Sequence, residues 1–167
     1  GEVITDHGEG VFAIDAPRCR ALVTARSDSV VRLGRVTLSV DRPATIALLS
    51  LTDEPLERTG RALIAVVGDA CLTGEQLQAG NAGLAIRGAG VPPTERLQVA
   101  KRGERPIVME PVRGTVRIAG EARPVRCRAL DGAGRGVAEV PVEVDAGSVV
   151  LRLERAGSMY YEVEFGG

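Results

Sequence analysis

The chain of 167 residues is nearly devoid of aromatic side chains, with two Phe, two Tyr and no Trp. A core must therefore be assembled from Val, Leu, Ile and Ala, and sugar recognition by stacked rings has little to draw on. The single histidine, His7, excludes any mechanism that needs a histidine ligand cluster, and its Asp-His-Gly setting reads as a turn. Cys19, Cys71 and Cys127 lie far apart, unlike the close pairs of a zinc site or a redox motif, and an odd number cannot pair completely. Cys19 and Cys127 fall at alternating positions of apolar runs and read as small buried hydrophobes. Lysine is almost absent too: Lys101 is the only one among 21 basic residues, yet 22 acidic residues bring the net charge to −1. Overall charge thus gives no reason to expect a nucleic-acid partner. No apolar run is long enough for a membrane-spanning helix, and no charged-then-apolar leader opens the sequence. The start at Gly1, within a strand-like stretch, reads as that of an excised domain.

What is present is globular in proportion, 44% apolar and 26% charged. The length suits one large domain or two small ones and can bury a sizeable core. The periodicity is that of strands almost everywhere. Met159, Tyr161, Val163 and Phe165 alternate with Tyr160, Glu162 and Glu164, giving one buried and one wet face. Val149, Leu151 and Leu153 alternate likewise, and Ala156-Gly157-Ser158 between the two runs predicts a hairpin. Val140, Val142 and Val144 share a face, with Pro141 marking an edge or a bulge. Ala44 to Leu51 and Ala62 to Val67 are nearly continuous apolar runs, as in strands covered on both faces. No amphipathic helix is convincing; the best candidate, Thr94 to Lys101, has Leu97 and Val99 at strand spacing. The few rings are expected to close the core at the first and last strands.

Roughly a dozen strands at sandwich-like spacing predict an all-β fold, an antiparallel β-sandwich of jelly-roll or Ig-like type. Composition changes over Gly88 to Arg105, where Pro92-Pro93 and a charged stretch interrupt the strands. This suggests a main sandwich over 1–105, with 106–167 either completing it or forming a second small sandwich. The pentapeptide Arg-Cys-Arg-Ala-Leu occurs at 18–22 and 126–130 without matching surroundings, which reads as coincidence.

A hydrolase needs a nucleophile with a base, or two carboxylates across a cleft. Asp15, Asp69 and Glu110 are the candidates, since each sits in or beside an apolar strand where a charge is costly unless used or paired. In so arginine-rich a chain the simpler role is an ion pair, and Asp15 has Arg18 three residues on, across Pro17. Gly132, Gly134 and Gly136 mimic a phosphate loop only in spacing, because they open a strand rather than a helix. Alternation buries Tyr161 and Phe165, leaving Tyr160 as the one ring placed to meet a sugar. Calcium would have to use Asp and backbone carbonyls, and no Asp-x-Asp-x-Asp run supports it, so no cofactor is expected.

Gly10-Val11-Phe12-Ala13-Ile14-Asp15-Ala16-Pro17-Arg18 resembles the Gly-x-Phe-x-Val-Asp-Thr-Pro-Arg stretch of the C-terminal β-sandwich regions of large bacterial glycoside hydrolases. Leu33-Gly34-Arg35-Val36-Thr37-Leu38 is similar to their Leu-Gly-Asp-Val-Thr-Ile. Ala44 to Pro55, Ala62 to Ala70, Leu72-Thr73-Gly74, Pro106 to Val112, Leu130-Asp131-Gly132 and Tyr160-Tyr161-Glu162 continue the likeness in order. It departs at Ala25 to Ser29 and at Cys71. The resemblance implies a non-catalytic accessory domain of a secreted, periplasmic or cell-surface protein whose catalytic carboxylates lie elsewhere, in a (β/α)8 barrel. Its partner would be the catalytic domain of the same parent chain, with polysaccharide as a further partner, and neither nucleic acid nor membrane. Two alternatives remain: a carbohydrate-binding module using Tyr160 or a polar loop, and an interaction subunit of a secreted or cell-surface assembly that pairs through a sheet edge.

Overall fold

The computed structural model describes residues 1–79, 97–109, 111–120, 125–153 and 158–166. Among them are seventeen strands and no helix. In chain order these are β1 (Glu2–Asp6), β2 (Val11–Ala16), β3 (Cys19–Thr24), β4 (Ser29–Leu33), β5 (Val36–Val40), β6 (Ala44–Ser50), β7 (Arg61–Val67), β8 (Ala70–Thr73) and β9 (Gln76–Ala79). There follow β10 (Leu97–Lys101), β11 (Glu104–Met109), β12 (Gly114–Ala119), β13 (Val125–Leu130), β14 (Gly136–Val140), β15 (Val142–Asp145), β16 (Ser148–Arg152) and β17 (Tyr160–Phe165). Leu97 to Lys101, the end of the one helix candidate, is strand; Thr94 and Pro92-Pro93 lie outside the described residues.

The chain forms two compact units, one of residues 1–69 with 111–167 and one of residues 70–110. The chain leaves the first unit after β7 and re-enters it before β12. The first unit is an antiparallel sandwich. Its larger sheet has the order β1-β2-β3-β6-β7-β17-β13-β14, and its smaller sheet the order β15-β16-β12-β5-β4. The second unit holds two antiparallel pairs, β9 with β10 and β8 with β11. There Gly103 lies so close to Leu72 that an added Cβ would sit 2.7 Å from the Leu72 carbonyl oxygen, so no larger residue fits without moving backbone.

The sandwich core is aliphatic. Leu22, Ile46, Leu48, Ile64 and Val163 from the larger sheet meet Leu33, Leu38, Val116, Leu151 and Leu153 on the smaller-sheet side, all at most 1% exposed. Period-2 burial along β5 and β7 carries this core directly from the sequence pattern. Tyr161 is fully buried and its hydroxyl donates to the Leu153 carbonyl, tying β17 to the chain just beyond β16.

Three expectations change. The segments 149–153 and 159–165 are not a hairpin: β16 pairs with β12 and β15, whereas β17 pairs with β13 and β7, so the chain crosses between sheets. Of the connecting Ala156-Gly157-Ser158, the first two residues lie outside the described ones. Phe12 does not close the core; it is 38% exposed on the outer face, because the inward position beside it is taken by fully buried Ala13. Pro141 is not within one strand but at the break between β14 and β15, which belong to different sheets. The β15–β16 hairpin turns through Ala146 and Gly147, both at positive φ, the geometry of a two-residue turn matched to strand twist.

Candidate functional site

Asp15 and Arg20 meet because of hairpin register. Asp15 sits two residues after buried Ala13 on β2, and Arg20 two before buried Leu22 on β3, so both point to the inner side of the larger sheet, directly across from each other. Arg20 is 7% exposed. Its Nε lies 2.6 Å from Asp15 Oδ1, as a charge contact rather than an aligned hydrogen bond, and its Nη2 donates to Glu57 Oε1 at 3.1 Å. The partner of Asp15 is thus Arg20, not Arg18. Pro17 and Arg18 form the turn between β2 and β3, which carries Arg18 out to Asp53 at 3.3 Å on the surface. The 51–60 segment is fastened over that turn by Leu56 N–H donating to the Pro17 carbonyl at 2.8 Å, and this brings Glu57 to Arg20.

Glu57 also lines a cavity of about 350 Å³ at one end of the sandwich. Most of its lining side chains are apolar and come from both sheets, Val36, Ile118 and Val149 on one side, Leu48, Val125 and Phe165 on the other, with Leu56 from the intervening segment, although its surface is about equally polar and apolar. Its polar groups are Arg35, Glu57 and Thr59. The Thr59 hydroxyl is committed: it donates to the Arg61 carbonyl at 2.7 Å and accepts from Ser50 Oγ at 3.0 Å. Arg35 is exposed at the rim, its Nη1 3.5 Å from where a Cβ on Gly120 would stand.

The other expected site residues are not gathered here. Tyr160 is half-buried on the outer face of the larger sheet, flanked across the strands by Leu130 and Ala65, and so faces away from Asp15. Asp69 is exposed beyond the end of β7. Glu110 lies outside the described residues. Gly132, Gly134 and Gly136 belong to the β13–β14 hairpin, where Asp131 Oδ1 accepts from the backbone N–H of Ala133 and Arg135, each at 2.9 Å. Those same backbone bonds, that from Arg135 foremost, hold the Asp131 carboxyl below its usual range.

Sequence reading missed the charged ladder on the outer face. Glu162, at a position that reads as wet, is 8% exposed and receives Arg61 Nε at 3.1 Å and Arg128 Nη2 at 2.7 Å. Arg128 also reaches Glu164 at 2.6 Å, and Arg126 pairs with Glu139. Hydrogen bonding from Arg61 holds the Glu162 carboxyl below its usual range, and Arg126 does the same for Glu139. The only signal in the sequence was the alternation of Arg on β13 with Glu on β17, which becomes a ladder once those strands pair.

Cys127 is buried and free, and burial pushes its thiol up to about 12, away from the reactive thiolate form. Cys19 is half-buried, and its thiol is raised by burial as well. Among the described residues no group of three His, Cys, Asp or Glu side chains could hold a metal ion. Among the described residues the arrangement offers charge pairing and an amphipathic cavity. No family model, curated protein or solved structure matches the chain.

Proposed function

We propose that this chain is a non-catalytic β-sandwich accessory domain of a glycoside hydrolase-like protein, packing against the catalytic domain of the same parent chain. The observation that carries this reading is the outer face of β1 to β3. Val3, Phe12 and Val23 lie on that one face and are 62%, 38% and 40% exposed. Adjacent exposed apolar side chains on a sheet face suit burial against another domain. Asp15 is engaged by Arg20, which suits structure rather than proton transfer.

Hydrogen exchange tests the proposal, comparing this chain alone with the same chain inside its full-length parent. Extra protection concentrated on β1 to β3 in the parent is the expected result; unchanged exchange there refutes packing through this face. The isolated chain should turn over no glycoside in a substrate panel, and turnover abolished by Asp15→Asn would refute the non-catalytic reading. Saturable calorimetric heats with a polysaccharide, lost in Tyr160→Ala, would replace it with carbohydrate binding.

A further inference from the structure

We infer that the cavity at the end of the sandwich is a binding site for a small amphipathic carboxylate, an aliphatic chain carrying one terminal carboxyl group. Three observations carry this. Most of the lining side chains are apolar and come from both sheets, while about half of the cavity surface is polar, a mixed setting that suits a ligand with a hydrocarbon chain and a polar head. The built-in polar groups are already committed, Thr59 to its hydroxyl and carbonyl partners and Glu57 to Arg20, so the interior asks for no polar partner from a ligand. Arg35 is the exception: it is exposed at the rim, its backbone carbonyl accepts from Ala119 N–H, and its guanidinium has no ion-pair or hydrogen-bond partner among the described residues.

A guanidinium presents parallel donors that match a carboxylate, and at the mouth of this cavity it would hold such a head group while the chain lies inside. Arg35 is the one cation among the described lining residues, which matches a ligand with a single carboxylate rather than a polyanion. At about 30 Å³ per water-sized group, the volume of about 350 Å³ accommodates roughly a dozen non-hydrogen atoms, the size of decanoate.

The test is calorimetric titration of the whole chain with decanoate and with decanol, its neutral counterpart. Decanoate should bind saturably and more tightly than decanol. Arg35→Gln changes only an exposed side chain and should weaken decanoate about five- to tenfold while leaving decanol unchanged. Val125→Phe, confirmed as folded by its thermal melt, should fill the cavity and weaken both. Absence of saturable heat into the millimolar range, equal affinity for the two compounds, or decanoate binding indifferent to Arg35→Gln would each overturn the inference.

Discussion

Replacing Asp15 by Ala should destabilise the sandwich more than replacing its partner Arg20 by Met. The asymmetry follows from burial. The Arg20 side chain is 9% exposed, against 27% for Asp15 and 42% for Glu57. Without Arg20, both carboxylates can turn to water, and Met fills much of the vacated volume. Without Asp15, a guanidinium stays in the sandwich with Glu57 as its remaining acidic partner. Breaking a fully buried pair costs about 3–5 kcal/mol, and the partial exposure of Asp15 lowers this to about 2 kcal/mol. Arg20→Met should cost less than about 1 kcal/mol, since ion pairs and apolar replacements of similar volume are often near neutral. For a chain of this size the shifts in Tm are about 4–8 °C and at most about 4 °C respectively. Thermal and urea melts at pH 7 would measure both variants and the Asp15→Ala/Arg20→Met double variant, which should resemble Arg20→Met alone. Equal losses in the two single variants, or additive losses in the double, would refute the reasoning.

Tyr161→Phe keeps the buried ring but leaves the Leu153 carbonyl without its donor, and should cost about 1–2 kcal/mol in urea melts; full stability would show that the carbonyl finds another partner. Glu162 has a depressed folded pKa, so its contribution is complete above its ordinary value of 4.5 and is lost as pH falls through the lower folded value. Stability measured from pH 7 down to 2 should therefore stay level until about pH 4.5 and then decline, less steeply in Glu162→Gln; identical acid slopes would count against the ladder. Iodoacetamide at pH 8 should leave Cys127 unmodified in the native protein and label it after denaturation, as peptide mass spectrometry would show; labelling of native Cys127 would contradict its burial.

Alternation revealed which strands are two-faced but not who their neighbours are. The pattern of Val149 to Leu153 and of Met159 to Phe165 was legible, and Tyr161 and Val163 are indeed buried. Their pairing was not, because a short connection serves a hairpin and a crossing between sheets equally well. The repeated pentapeptide makes the same point about faces. In β3 it turns Arg20 and Leu22 inward, whereas in β13 it turns Cys127 and Ala129 inward and Arg126 and Arg128 outward. One sequence thus takes opposite parity in two strands, since its arginines can lie in an internal ion pair or on an outer ladder. The charge role of Asp15 was readable from composition, but its partner depended on hairpin register. The cavity was not readable at all, because its walls come from segments that only the assembled sandwich brings together.

The break at Pro141 ties the two sheets along one side, like the spine of a book, and the chain crosses between them again at the other side, from β3 to β4, where the Thr24 and Ser29 hydroxyls hydrogen-bond at 2.7 Å. β14 is the last strand of one sheet and β15 that of the other, and the chain runs from one to the next through a residue with no N–H to offer. On the far side β1 and β4 each end a sheet. All four end strands keep one unpaired edge, and exposure is similar on both sides: Val137 of β14 and Val144 of β15 are 58% and 64% exposed, and Val30 of β4 is 67% exposed, so the tie joins the two sheets without capping either of them.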